Sequence, residues 1–328
     1  MPQMIAMSRR AFVASGAAFL AAPLAAEAQQ AGRVYRVGVL AHVTPEAASA
    51  PMALFRQSLE RLGWMEGRNV SIDARFSERQ EELARAAREL VASGVDLIVT
   101  VATPAVLAAK KETTRIPIVM VTALDPVQSG VVSSLARPEA NITGNATLTT
   151  ELTTKQMQIL KEVVPPLHRL GVVWNPSNPA FSEVTWTELS SAARALSIEL
   201  RRLDARSVEE ITRLPTDTVR ALLLMSDPAF HLDLPRIADF ALRQHLPTAS
   251  LFQEFVKAGG LVSYGPNFAS LVRQAAEYVD KILRGAKPSA MPIQQPTRFD
   301  LAINLKTAKA LGLTIPPSLL LRADQVIE

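Results

Sequence analysis

Asp96-Leu-Ile-Val-Thr-Val-Ala-Thr-Pro-Ala105 is the stretch that decides the fold. Leu97 to Val101 is apolar, rich in β-branched residues and too short to be a helix. It reads as a strand buried on both faces, as in a parallel sheet. Thr103 and Pro104 follow, and the helix-forming run Ala105 to Lys111 comes after them. A capping Thr with Pro at the first helical position is a helix start written in side-chain chemistry. The same unit of strand, polar residue, Pro and helix recurs. Asp125-Pro126 follows Ile118 to Leu124, Asn175-Pro176 follows Leu170 to Trp174, and Asp227-Pro228 follows Ala221 to Met225. Thr44-Pro45 after Val37 to Leu40 is a looser copy. Small ligands of open α/β sheets sit beyond the carboxyl ends of the strands, next to helix N-termini. Strand ends of one style in both halves of the chain predict two sheets facing one cleft.

Outward from that stretch the rhythm is regular. Val34 to Leu40 and Val70 to Phe76 read as strands, the second nearer a sheet edge. Met52 to Leu62 and Glu81 to Val91 carry helical apolar spacing. Residues 136–150 are turn-rich and read as a crossing between lobes. Helix and strand then alternate again: Glu151 to Val164, Leu170 to Trp174, Glu183 to Leu196, Ile198 to Leu203, Val219 to Met225, Ile237 to Gln244 and Leu261 to Tyr264. A long amphipathic helix, Phe268 to Leu283, precedes an extended return over Gln294 to Asn304, which is what three crossings between two lobes would need. The fold class expected is α/β, with two similar doubly wound parallel-sheet lobes joined by a three-crossover hinge. Residues 29–143 plus 265–292 would form lobe 1, and 144–264 plus 293–328 lobe 2.

Composition narrows the function classes. In 328 residues, 48% are hydrophobic, 20% charged and none is Cys. That removes thiolate catalysis, Cys-ligated zinc and disulfides. The net charge of +4 is spread with no basic run, and aromatic residues are few, so nucleic acid is not an expected partner. The four His are dispersed and suggest no metal. At the N-terminus, Ser8-Arg9-Arg10-Ala11-Phe12, an apolar run from Val13 to Ala26 and Ala26-Glu27-Ala28 have the three parts of an export signal over residues 1–28. The adjacent arginines resemble a twin-arginine signal, although Val13 and Ala14 depart from that pattern.

The candidate binding residues stand at the strand ends. Asp227 would pair with a ligand ammonium or cap the turn at Pro228. Thr103 and Asp125 are its first-lobe counterparts. Asn175, Ser177 and Asn178 form a polar loop on the same side. Tyr264 would stack on a ligand ring or line the hinge, and His42 follows the first strand. Trp64 and Trp186 read as packing residues, Trp174 as either. His168, His231 and His245 read as surface residues. Nothing has the spacing of a nucleophile elbow, a P-loop or a dinucleotide fingerprint, so no cofactor is expected.

Taken in order, Gly38-Val-Leu40, Leu62-Gly-Trp-Met-Glu-Gly-Arg-Asn-Val70, Ala102-Thr-Pro-Ala105, Ile116-Pro-Ile-Val119, Asn141-Ile-Thr-Gly144 and Leu283-Arg-Gly285 resemble the ABC-transporter substrate-binding proteins that include tryptophan- and tyrosine-type binders. The resemblance covers the chain beyond the leader. It implies a periplasmic-binding-protein-like fold of type I that holds a small organic ligand between its lobes for a membrane permease. With the export signal and without enzyme motifs, the chain is expected to be a periplasmic monomer and not an enzyme. The ligand expected is amino-acid-like or a small aromatic or carboxylic acid. An exported α/β enzyme or a ligand-sensing domain is the alternative.

Overall fold

The computed structural model describes residues 33–77, 79–138, 140–178 and 183–328; the segment read as a leader, 1–28, lies outside them. Five parallel strands make the first sheet: β1 (Tyr35–Ala41), β2 (Val70–Phe76), β3 (Leu97–Val101), β4 (Ile118–Thr122) and β5 (Ile142–Gly144). Their order is β2-β1-β3-β4-β5, which puts Val70–Phe76 at the edge its alternating sequence suggested, with all but Val70 half-buried. Helices α1 (Pro45–Arg61), α2 (Gln80–Ala92) and α3 (Thr103–Glu112) connect the strands. Alternation along the strands serves both faces. Val37, Val39, Leu97 and Val99 pack on one side, while Leu40 and Ile98 pack with α2 and α3 on the other. Complete burial of such side chains stabilises by ~1.5–3 kcal/mol each, which is why the apolar run at 97–101 cannot sit at a surface.

The chain then enters the second sheet through α4 (Thr149–Val163). Its strands are β6 (Arg169–Trp174), β7 (Glu199–Asp204), β8 (Ala221–Leu224), β9 (Thr248–Ser250), β10 (Val262–Pro266), β11 (Phe299–Asn304) and β12 (Gln325–Ile327). They lie in the order β12-β11-β10-β9-β8-β6-β7. Between them run α5 (Glu183–Ala195), α6 (Val208–Ile211), α7 (Leu234–Arg243) and α8 (Gln253–Lys257). After β10 the chain returns to the first sheet, where α9 (Phe268–Leu283) packs on α1 and β4. Ile293 still belongs to the first sheet's core, and β11 is back in the second. The last helices, α10 (Leu305–Ala310) and α11 (Pro317–Leu320), close the second layer.

Two differences from the sequence reading have a physical cause. The second sheet has two more strands than the first, and β9 and β12, like β5, are three residues each, too short to show periodicity in the sequence. It also holds one antiparallel pair, β10 with β11, in register Pro266↔Phe299. β10 ends beside one crossing and β11 begins beside the next, so one strand leaves the hinge side as the other arrives from it. Among the described residues, no helix is long and apolar enough to cross a membrane.

Candidate functional site

A cavity of about 430 Å³ lies between the two sheets, beyond the carboxyl ends of β1, β3 and β4 on one side and of β8 and β9 on the other. That is within the ~300–1,000 Å³ of small-molecule sites. The wall from the first sheet is mostly apolar, with Val39, Val101, Met52 and Phe76 exposed to the cavity. The second sheet's side brings Asn178, Ser226, His231, Phe252 and Glu254, and Phe268 stands at the start of α9. Among the described residues no Lys or Arg lines the cavity, and Glu254 is the one carboxylate that does.

Of the residues singled out from sequence, His42 and Thr103 line this cavity. Thr103 does so without capping its helix. The residue before α3, Ala102, has φ +73° and gives no side-chain cap. The Thr103 hydroxyl instead accepts from Leu124 N at 3.0 Å and donates to Leu124 O at 3.4 Å, tying the loop after β3 to the loop after β4. The expected Thr cap is present at Thr44, whose Oγ1 accepts from Ala47 N at 3.1 Å.

Asp227 is 2% exposed and lies just outside the cavity lining. Its carboxylate accepts from Asn175 Nδ2 at 3.0 Å, from Asn178 Nδ2 at 2.6 Å and from Ala229 N at 2.9 Å. Asn175 Oδ1 accepts from Ser177 N at 2.9 Å, and Ser177 is exposed. Asp227, Asn175 and Ser177 are thus one connected loop cluster, reaching the cavity through Asn178. A buried carboxylate is tolerable only with donors of this kind around it. Asp125 is buried at φ +40°, its N–H donating to Thr147 O at 3.0 Å, outside the lining. Tyr264 stands on β10 against Phe299, ring centroids 5.9 Å apart, also outside it.

His231 corrects the sequence reading, because it is not a surface residue. The turn Pro228–Asp233, started by the Asp227 cap, carries its ring into the cavity. Burial pushes its imidazole below the usual range, and the charges of Glu254 and Asp227 partly oppose that. Phe252 was missed because it follows β9, a strand with no sequence signal. Trp174, left open above, is buried edge-on against Trp186, centroids 5.7 Å apart.

A two-sheet cleft with an apolar lining and a handful of neutral polar groups is built to hold a small molecule. The family model described as ABC transporter substrate binding protein matches residues 36–327. The chain belongs to that family. This substrate-binding protein is 26% identical over 265 residues to the tyrosine-binding protein of Clostridioides difficile, covering 79% of this chain and 75% of the relative. A Streptococcus pneumoniae structure in complex with L-Trp superposes with a TM-score of 0.82 at 26% identity, covering 89% of this chain and 99% of that one. A conserved domain protein of Vibrio cholerae gives 0.83 at 26% identity with the same coverage. The periplasmic-binding-protein-like architecture expected from sequence is therefore the architecture found. Among the described residues, no cluster of His, Asp or Glu could hold a metal ion.

Proposed function

We propose that this substrate-binding protein captures an aromatic amino acid or a close analogue in its cleft and hands it, unaltered, to an ABC transporter permease. The observation that carries the reading is the lining of the 430 Å³ cavity, where apolar and ring-bearing side chains dominate and, among the described residues, no Lys or Arg is present. A ligand with a large flat apolar body and small polar ends suits such walls. The relatives with tyrosine in their name and L-Trp in their crystal support that chemistry. The two lobes, one built around each sheet, would close on the ligand about the three crossings. Residues 1–28 would direct export to the periplasm, and the mature chain would act as a monomer.

Isothermal titration of the mature chain with L-tryptophan, L-tyrosine and L-phenylalanine tests this. One-to-one binding of at least one, with the ligand recovered unchanged by mass spectrometry, is the expected result. Binding of none would remove the aromatic reading. Conversion of the ligand would favour an enzyme instead.

A further inference from the structure

One wall of the cleft is a row of three rings. His231 meets Phe252 edge-on with centroids 6.0 Å apart, and Phe252 meets Phe268 in the same way at 5.8 Å. All three line the cavity. Edge-to-face packing leaves ring faces available to a further ring, so the row extends naturally onto a flat ligand. His231 is the one member of the row with polar atoms. Among the described residues its imidazole has no hydrogen-bond partner and its half-buried ring opens on the cavity, whereas the nearby Asp227 and Asn175 are tied into a hydrogen-bonded cluster. A ligand that displaces cavity water from the imidazole must replace the hydrogen bonds that water makes, so a polar group at that place on the ligand is favoured over a plain ring. Burial favours the neutral ring, which offers one N–H donor and one nitrogen acceptor.

Resting on the aromatic reading above, we infer that His231 sets specificity within that class: its imidazole hydrogen-bonds the polar group on the ligand's ring, a phenolic hydroxyl or an indole N–H. Phe252 and Phe268 supply the apolar contact to the same ring. The residue therefore discriminates tyrosine or tryptophan from phenylalanine, which has the ring and no polar group on it. The capped turn at Pro228–Asp233 fixes the imidazole for this task, because Asp227 accepts from Ala229 N two residues before it.

The test compares affinities of the parent and His231→Phe for L-tyrosine, L-tryptophan and L-phenylalanine by titration calorimetry. The substitution keeps a flat ring against Phe252 and removes both polar atoms. The parent should prefer at least one of the substituted rings to phenylalanine, and the variant should lose that preference by about three- to tenfold. Its phenylalanine affinity should hold or rise. Should His231→Phe not fold, His231→Leu asks the same question, and His231→Gln, which restores a donor and an acceptor, should recover the preference. Equal losses for all three ligands would place the imidazole at the shared amino-acid end and overturn the inference. An unchanged ranking would overturn it as well. If the parent binds none of the three, the functional reading itself fails and this inference falls with it.

Discussion

Asp227 and Asn178 are joined by a hydrogen bond of 2.6 Å, yet only Asn178 touches the cavity. The same carboxylate holds Asn175 at 3.0 Å and the backbone of Ala229 at 2.9 Å. One buried charge thus fixes two loops, the one after β6 that carries Asn178 and the one after β8 that carries His231. That carboxylate thereby holds the Asn178 side chain where it lines the cavity.

Asp227→Asn should therefore be felt first in stability. The new amide matches the old carboxylate in size but presents an NH2 group to one of the three donors it faces. Leaving a buried donor unsatisfied costs ~1–3 kcal/mol. At about 2–4 °C per kcal/mol for a chain somewhat smaller than this one, the melting temperature should fall by several degrees. Affinity should fall by a similar factor for ligands with and without an ammonium group. A loss confined to ammonium-bearing ligands, with the melting temperature unchanged, would show Asp227 to be a direct contact instead.

Thr103→Val tests the tie between the loops after β3 and β4. The valine keeps the shape and loses both bonds to Leu124. With Leu124 N left unpaired in a buried place, a loss of ~1–3 kcal/mol is expected in denaturant unfolding. Thr103→Ser should restore most of it. If the serine variant is as unstable as the valine one, the hydroxyl does not matter and the methyl does.

The sheet layers were legible in the sequence because parallel strands buried on both faces leave continuous apolar runs, such as Leu97 to Val101. The strand ends were legible for the same reason, since polar-Pro pairs mark where each run stops. The division of labour among those ends was not. Asp227 as ligand contact and Asp227 as scaffold differ only in where the loop after β6 folds, which rests on Asn175 and Asn178, 52 and 49 residues away in the chain. Apolar residues at 230, 232 and 234 alternate with His231 and Asp233, a pattern that puts His231 on the polar side and hides that its turn faces the cavity. Thr103 has the sequence of a cap, and the tertiary bond to Leu124 prevails over the local preference.

Gly144, the last residue of β5 before the chain crosses to the second sheet, adopts φ +122°, and a Cβ there would lie 2.3 Å from Met120 O. Both the backbone angle and the space exclude any side chain. Gly144→Ala should cost more than ~3 kcal/mol, or prevent soluble expression. A variant that melts within a degree or two of the parent would mean that β5 can shift away from β4.

Gln128 reaches from the turn after β4 to α5 of the other layer, where its Oε1 accepts from Thr185 Oγ1 at 3.1 Å. This is a direct link between the two sides of the cleft. Gln128→Ala should leave unfolding stability within ~0.5 kcal/mol, since the residue is exposed, but should weaken ligand binding a few-fold by favouring the open arrangement. Small-angle scattering should show a larger radius for the unliganded variant. An unchanged radius together with unchanged affinity would mean that the link does not hold the lobes.

Acid should act on stability through His231. In the unfolded chain its imidazole takes up a proton near the ordinary value of ~6.5. In the folded protein burial delays that uptake to lower pH, with Glu254 and Asp227 reducing the delay. Below about pH 6.5 the unfolded state therefore binds more protons than the folded one, and stability falls as pH falls through that window. Above it both states are neutral and the effect vanishes. His231→Phe should flatten this part of the profile, while the exposed His168 and His245 remain in both proteins as a shared background. Melting temperatures of parent and variant at pH 7.5 and 5.5 decide the matter: the parent should lose more on acidification. If both lose the same amount, proton uptake by His231 is not coupled to folding, and its imidazole must already be in contact with water in the folded state.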